Sequence, residues 1–220
     1  MDGKAFLELA WARHSVRKYD ARPVEPEKMA VILDAAKAAP TAVNFQPQRL
    51  YVVQSAEGKE RLETAMKFRF GAPVLIAVCY DKRASWKRGY DGQEFGDIDA
   101  AIVTTHMMLA AEAEGLSSVW IGSFDPEKAR AALGAGEDIV PSAILAVGYE
   151  AAEGGHGAKR RGEGTSVLQF YSKLSVTQIH LFRLQKQILI FFYIVPSQKT
   201  TCFSGRYNCP YLAICTFCGI

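Results

Sequence analysis

The stretch Val74–Tyr80, VLIAVCY, decides the fold class. It is apolar at every position and is bounded by turn and polar residues. A strand with one wet face alternates polar and apolar side chains, whereas a run without alternation reads as a strand covered on both faces. Leu50–Val53, Ser117–Ile121 and Ala143–Val147 (AILAV) are further short strands, mostly apolar throughout.

Helical stretches separate them. Glu27–Ala39 carries Met29, Ile32, Leu33 and Ala36 on one stripe, with Pro26 suiting its first turn and Pro40 stopping it. Gly58–Lys67 is helical in composition. Phe95–Glu114 is the longest helical stretch, with Ile98, Ile102, Thr105 and Leu109 on one stripe and Gly115 at its end. Asp125-Pro126 caps a helix that runs to about Leu133. Alternating helices and buried strands predict a layered α/β-type domain.

The 220 residues are 49% apolar and 22% charged, a globular composition. The net charge of +3 is too weak to argue for nucleic acid or an anionic membrane surface. That average hides a break near Arg161–Gly164. From Thr165 to Ile220 there is no Asp or Glu, one alanine (Ala213), ten of the 24 aromatics and four of the five cysteines. The residues before it hold 21 bases and 23 acids, a net charge of −2. Met1–Ala12 carries Asp2 and Glu8 and does not read as a signal peptide, so the expected location is the cytoplasm. Ile188–Val195 is too short for a membrane helix.

Three short segments can carry chemistry. Arg13-His14-Ser15-Val16-Arg17 follows the opening helix. In an extended segment Arg13, Ser15 and Arg17 share one side, and two guanidiniums flanking a hydroxyl suit a phosphate. A solvated basic turn is the plainer reading of the same residues. Ala39–Pro47 (APTAVNFQP) concentrates hydroxyl and amide groups between prolines, fit for the polar edge of a heterocycle or for ordinary turn chemistry. Val119–Asp125 (VWIGSFD) runs from strand end to helix start, and Gly122 would let a ligand approach the backbone, unless it is a plain strand-to-helix turn. His106 and His156 have no partners at metal-ligand spacing, no metal site is expected in the body, and no hydrolase triad is apparent.

In order and spacing these segments resemble the FMN-dependent nitroreductase family: RHSVRKY, then APTAVNFQPQRLYVV, then AEGLSSVWIGSFD, then AILAVGY, from Arg13 to Tyr149. The resemblance implies an α+β fold, a layered α/β/α arrangement on a central mixed, mainly antiparallel sheet. It implies an intertwined homodimer with FMN at the subunit interface. It places the Arg13–Arg17 segment, His14 included, on the flavin, with Arg13, Ser15 and Arg17 on the phosphate, ribityl chain and pyrimidine edge. Pro40, Thr41, Ala42 and Asn44 would come from the neighbouring subunit, with Gln46 nearby. Ile121 and Gly122 would lie against the isoalloxazine, Asp99 near the partner's flavin, and Arg161 of the basic run Lys159–Arg161 at the phosphate. The implied activity takes electrons from NADH or NADPH to a nitroaromatic, quinone or similar small electrophile in ping-pong order. Catalysis is flavin-mediated and needs no side-chain acid or base. A flavin-binding protein without turnover, a carrier or sensor, is the alternative. His106 stands where the family commonly has an amide.

The resemblance covers residues 1–161 and gives the FMN-binding domain; residues 162–220 form an atypical tail rather than an independent domain. Cys202, Cys209, Cys215 and Cys218 have one C-x2-C pair and otherwise irregular gaps, so a metal or cluster site is one reading. An interfacial anchor around Ile188–Val195 is another. A frameshifted or wrongly extended reading frame explains the joint loss of acids and alanine, and is the favoured one.

Overall fold

The computed structural model describes residues 2–152. The expectations for Lys159–Arg161 and for the tail, with its cysteines and Ile188–Val195, fall outside the described residues. In chain order the elements are α1 (Gly3–Ala12), α2 (Pro26–Ala38), a one-turn 3-10 helix (Ala42–Asn44), β1 (Gln48–Val53), α3 (Ala56–Glu63), β2 (Val74–Asp81), α4 (Gly96–Ala113), β3 (Ser117–Ile121), α5 (Pro126–Leu133) and β4 (Ile139–Gly148).

Every residue of β2 is buried. Its alternate side chains feed two apolar clusters. Val74, Ile76 and Val78 join α2 and α4 on one face, while Leu75, Ala77 and Cys79 join α3, α5 and the segment holding Val16 and Tyr19 on the other. That is the physical content of an unalternating apolar run: both pleat faces are dry. Burying each large side chain contributes roughly 1.5–3 kcal/mol.

The strand order is β1-β2-β4-β3, and all three pairings are antiparallel. The pairing β2–β4 shifts register between Val78 and Cys79, so a bulge marks that end of the sheet. The alternation of helices and strands suggested an α/β-type layout; the layers are there, but the sheet is an α+β sheet, as the family resemblance implied. Dry strands suit a parallel sheet and read the same in an antiparallel sheet covered on both faces. Among the described residues a single parallel bridge, Ser15 with Ser118, supplies the mixed character.

The expected helices form within a few residues of their predicted ends. Asp125 caps α5 by accepting from the amides of Glu127 and Lys128 at 3.1 Å each. The stripe assigned to α4 needs correction. The buried set is Gly96, Asp99, Ala100, Val103, Thr104, Met107, Met108 and Ala111, whereas Ile98 and Thr105 are exposed. The helix is apolar nearly all round, so periodicity points weakly. The buried face mixes the small Ala100 and Ala111 with Val103, Met107 and Met108, and joins α2 and the sheet in the first apolar cluster. At the start of α4, Gly96 packs against the Tyr80 ring, where an added Cβ would lie 2.2 Å from the ring carbons.

Candidate functional site

The Arg13–Arg17 segment is built by its buried residues. Arg13 ends α1, its amide still bonded to the Leu9 carbonyl at 3.1 Å while its own ψ of 127° turns the chain out of the helix. The Val16 amide then donates to the Ser118 carbonyl of β3 at 3.2 Å. Val16 and Tyr19 enter the second apolar cluster. Alternation therefore leaves Ser15 half-buried and Arg17 exposed, with Arg13 half-buried beside them. His14 differs from these neighbours. Its Nδ1 lies 3.1 Å from the Ala12 carbonyl oxygen and its Nε2 3.3 Å from Glu150 Oε2, so the ring ties the segment to the residues after β4.

Ile121 and Gly122 lie at the far end of the same strand. Ile121 is buried against Ile144, the last pair of the β3–β4 ladder. Gly122 is exposed, and a Cβ built on it would meet no atom within 4 Å. Backbone is open to a ligand there. Arg13, Ser15, Arg17, Ile121 and Gly122 thus line one edge of the sheet.

The Pro40–Pro47 loop lies at the other edge, leading into β1. Its backbone is strained. Val43, Asn44 and Gln46 all have positive φ, at 47°, 56° and 49°. Asn tolerates this region, but a β-branched valine there is an outlier. Such conformations cost on the order of 1–3 kcal/mol each and collect at ligand clamps. Local bonds hold the turn: Asn44 and Phe45 amides donate to the Thr41 and Ala42 carbonyls, and the Gln46 amide donates to Thr41 Oγ1 at 3.0 Å. Gln46 Nε2 reaches Asn44 Oδ1 at 3.3 Å. Val43 and Phe45 are left exposed.

Two residues outside this loop moor it, Asp99 through its carboxylate and Asp81 through its backbone amide. The Ala42 amide donates to Asp99 Oδ1 at 2.8 Å, and Asp99, in the first turn of α4, is only 1% exposed. The Asp81 amide donates to the Pro47 carbonyl at 2.8 Å. The Asp81 carboxylate is held by Arg83 at 2.9–3.0 Å, with Arg49 at 3.7 Å. Hydrogen bonds from the Arg83 guanidinium and then its backbone amide, with the charges of Arg83 and Arg49, pull the Asp81 carboxyl down to about 2. Arg49 also donates to the Pro47 and Gln48 carbonyls at 3.3 and 2.9 Å. The sequence reading gave Arg49 no role. The available signal was a cation two residues after a proline-bracketed loop.

The structure therefore gathers the candidate residues into two groups, not one. Within one protomer they flank the outer strands β3 and β1, three inter-strand steps of roughly 4.8 Å apart, about 14 Å in all. Asp99 belongs with the second group, and His106 with neither: its Nδ1 bonds the Ile102 carbonyl of its own helix at 2.9 Å.

The two groups sit inside the segments by which the chain matches a family model, the nitroreductase family, over residues 10–68 and 65–149. The chain belongs to the nitroreductase family. A nitroreductase family protein of known structure from Clostridium difficile 630 is 42% identical, with a TM-score of 0.68, and the alignment covers 79% of this chain and 100% of that one. A Thermus thermophilus protein named NADH dehydrogenase is 32% identical over 180 residues, 66% of this chain and 86% of its own length. An FMN-dependent nitroreductase from Clostridium difficile R20291 shares the fold at 24% identity and a TM-score of 0.62, covering 74% of this chain and 99% of that one. Within the nitroreductase match, residues 10–68 contain Arg13–Arg17 and Pro40–Gln46, and residues 65–149 contain Asp99, Ile121 and Gly122.

Proposed function

We propose that this chain is an FMN-dependent oxidoreductase that carries electrons from NADH or NADPH to a nitroaromatic, quinone or similar small electrophile. It works as a homodimer in the cytoplasm, with FMN between two copies. The observation that carries this reading is the separation of two complementary donor sets on opposite edges of one sheet. One set is cationic and suits a phosphate; the other is a strained loop of amide and hydroxyl groups and suits a heterocycle edge. A second copy related by two-fold symmetry brings the loop of one to the cationic edge of the other.

The residues present fit FMN. Two guanidiniums and a hydroxyl on one side of an extended segment match phosphate and polyol oxygens, and the open backbone at Gly122 admits a flat ring. Arg13, Ser15 and Arg17 would hold the phosphate, ribityl chain and pyrimidine edge, and an arginine at that edge offsets negative charge gathered there. Ile121 would cover the ring and the backbone at Gly122 would donate to it. Pro40, Thr41, Ala42, Asn44 and Gln46 would come from the second copy. Arg161 would add to the phosphate site. When bound, FMN supplies the redox chemistry, accepting hydride from the nicotinamide and releasing electrons to the acceptor in a second half-reaction. No protein acid or base is required for either half.

The exposed Phe6 and Leu7 of α1, a helix with no buried residue, and the exposed Val43, Phe45 and Ile98 supply apolar surface for the second copy. Among the described residues no helix is long and apolar enough to cross a membrane. The test is purified protein given FMN with NADH or NADPH. Retained yellow colour and nicotinamide oxidation are expected; colourless protein that leaves the nicotinamide unoxidised refutes the reading. Bound FMN without oxidation would instead mark a flavin carrier or sensor.

A further inference from the structure

We propose that Asp99 is a positioning residue: through the Ala42 amide it fixes the strained Thr41–Gln46 loop in the shape that presents Thr41 and Asn44 to a ligand. This rests on the loop being a flavin clamp, but the mooring itself does not. Three observations converge on it. Asp99 Oδ1 accepts from the Ala42 amide at 2.8 Å. Asp99 is 1% exposed, and its second oxygen, Oδ2, has no hydrogen-bond partner among the described residues. The three residues at positive φ, Val43, Asn44 and Gln46, follow directly on the amide it holds.

Among the described residues the loop's remaining bonds are local, within Thr41–Arg49, apart from the Asp81 amide on the Pro47 carbonyl at its far end. Local bonds can follow the loop into another shape; a bond to α4 cannot. A buried carboxylate oxygen left without a donor is a standing cost to the fold. Asp99 thus acts on the loop through the Ala42 amide.

The bond can be cut from either side. Asp99→Ala removes the acceptor. Ala42→Pro removes the donor at a compatible place: Thr41 is extended (φ −131°, ψ 161°), and Ala42 is the second residue of a turn closed by the Asn44 amide on the Thr41 carbonyl, with Val43 at φ 47°, a position that accepts proline. Asp99→Asn keeps a carbonyl oxygen for the amide. Without FMN, amide exchange at Asn44, Phe45 and Gln46 should accelerate about 10- to 100-fold in Asp99→Ala and in Ala42→Pro, and less than about threefold in Asp99→Asn. FMN affinity should fall by a similar factor in the first two, return close to wild type in Asp99→Asn, and fall no further in the double variant. Far-UV circular dichroism and the unfolding midpoint establish that each variant is folded; if Asp99→Ala is not, Ala42→Pro and Asp99→Asn carry the comparison. Unchanged loop exchange on cutting the bond, additive losses in the double variant, or an Asp99→Asn protein as weak as Asp99→Ala would each overturn the proposal. Wild-type protein that binds no FMN would refute the flavin reading and leave the exchange result standing.

Discussion

Two damaged variants of this chain should restore one another when they share a dimer. Arg13→Ala/Arg17→Ala strips the cationic group beside β3, and Thr41→Ala/Asn44→Ala strips the polar group before β1. The groups flank the two outer strands of the order β1-β2-β4-β3, about 14 Å apart in one protomer. Losing two charge-assisted hydrogen bonds at roughly 1.5–3 kcal/mol each weakens FMN binding about a hundred- to ten-thousand-fold. Losing two neutral ones at roughly 0.5–1.5 kcal/mol each weakens it about 5- to 150-fold. Co-expressed at equal levels, the variants pair at random, and about half of the dimers are mixed. Each mixed dimer then holds one site with both defects and one with neither, so about a quarter of all sites are intact. The assay is NADH oxidation at an FMN concentration between the wild-type and variant dissociation constants. Recovery near a quarter of wild type is expected. If each site drew both groups from one protomer, no pairing could make an intact site, and activity no higher than the mean of the separate variants would refute the reasoning.

Two further outcomes follow from contacts in the body. Gly96→Ala places a Cβ 2.2 Å from the buried Tyr80 ring, so it should destabilise the fold by about 1–3 kcal/mol in urea titration; an unchanged midpoint would show that the ring yields freely. The Asp81 carboxyl is drawn from its ordinary 3.8 down to about 2, chiefly by Arg83. Its contribution is full above its ordinary value and is lost as the pH falls through about 2. Arg83→Ala should therefore flatten the drop in melting temperature between about pH 4 and 2; an acid limb of unchanged steepness would exclude the pair as its source.

Much of the fold was legible because it rests on local chemistry. Val74–Tyr80 announces a doubly covered strand, Pro26 and Pro40 bracket α2, and Asp125-Pro126 starts α5. Strand direction was not legible from those features, since a dry strand looks alike with parallel or antiparallel neighbours. The buried face of α4 was misread because Ala100, Thr104 and Ala111 are buried while the larger Ile98 is left exposed, so side-chain size did not mark the inner face. At the site, residue types were readable and conformations were not. Valine is among the last residues expected at positive φ, so the shape of Val43 could come only from its surroundings. The Asp99–Ala42 bond joins residues 57 apart in sequence, and nothing local in either segment points to the other.

The most direct test of the account is anaerobic stopped-flow mixing of the FMN-loaded protein with NADH and with NADPH. Rapid loss of the flavin's yellow absorbance with at least one of them, and its return on adding a quinone or nitroaromatic, is the predicted result. FMN that stays bound and yellow with both donors would contradict it.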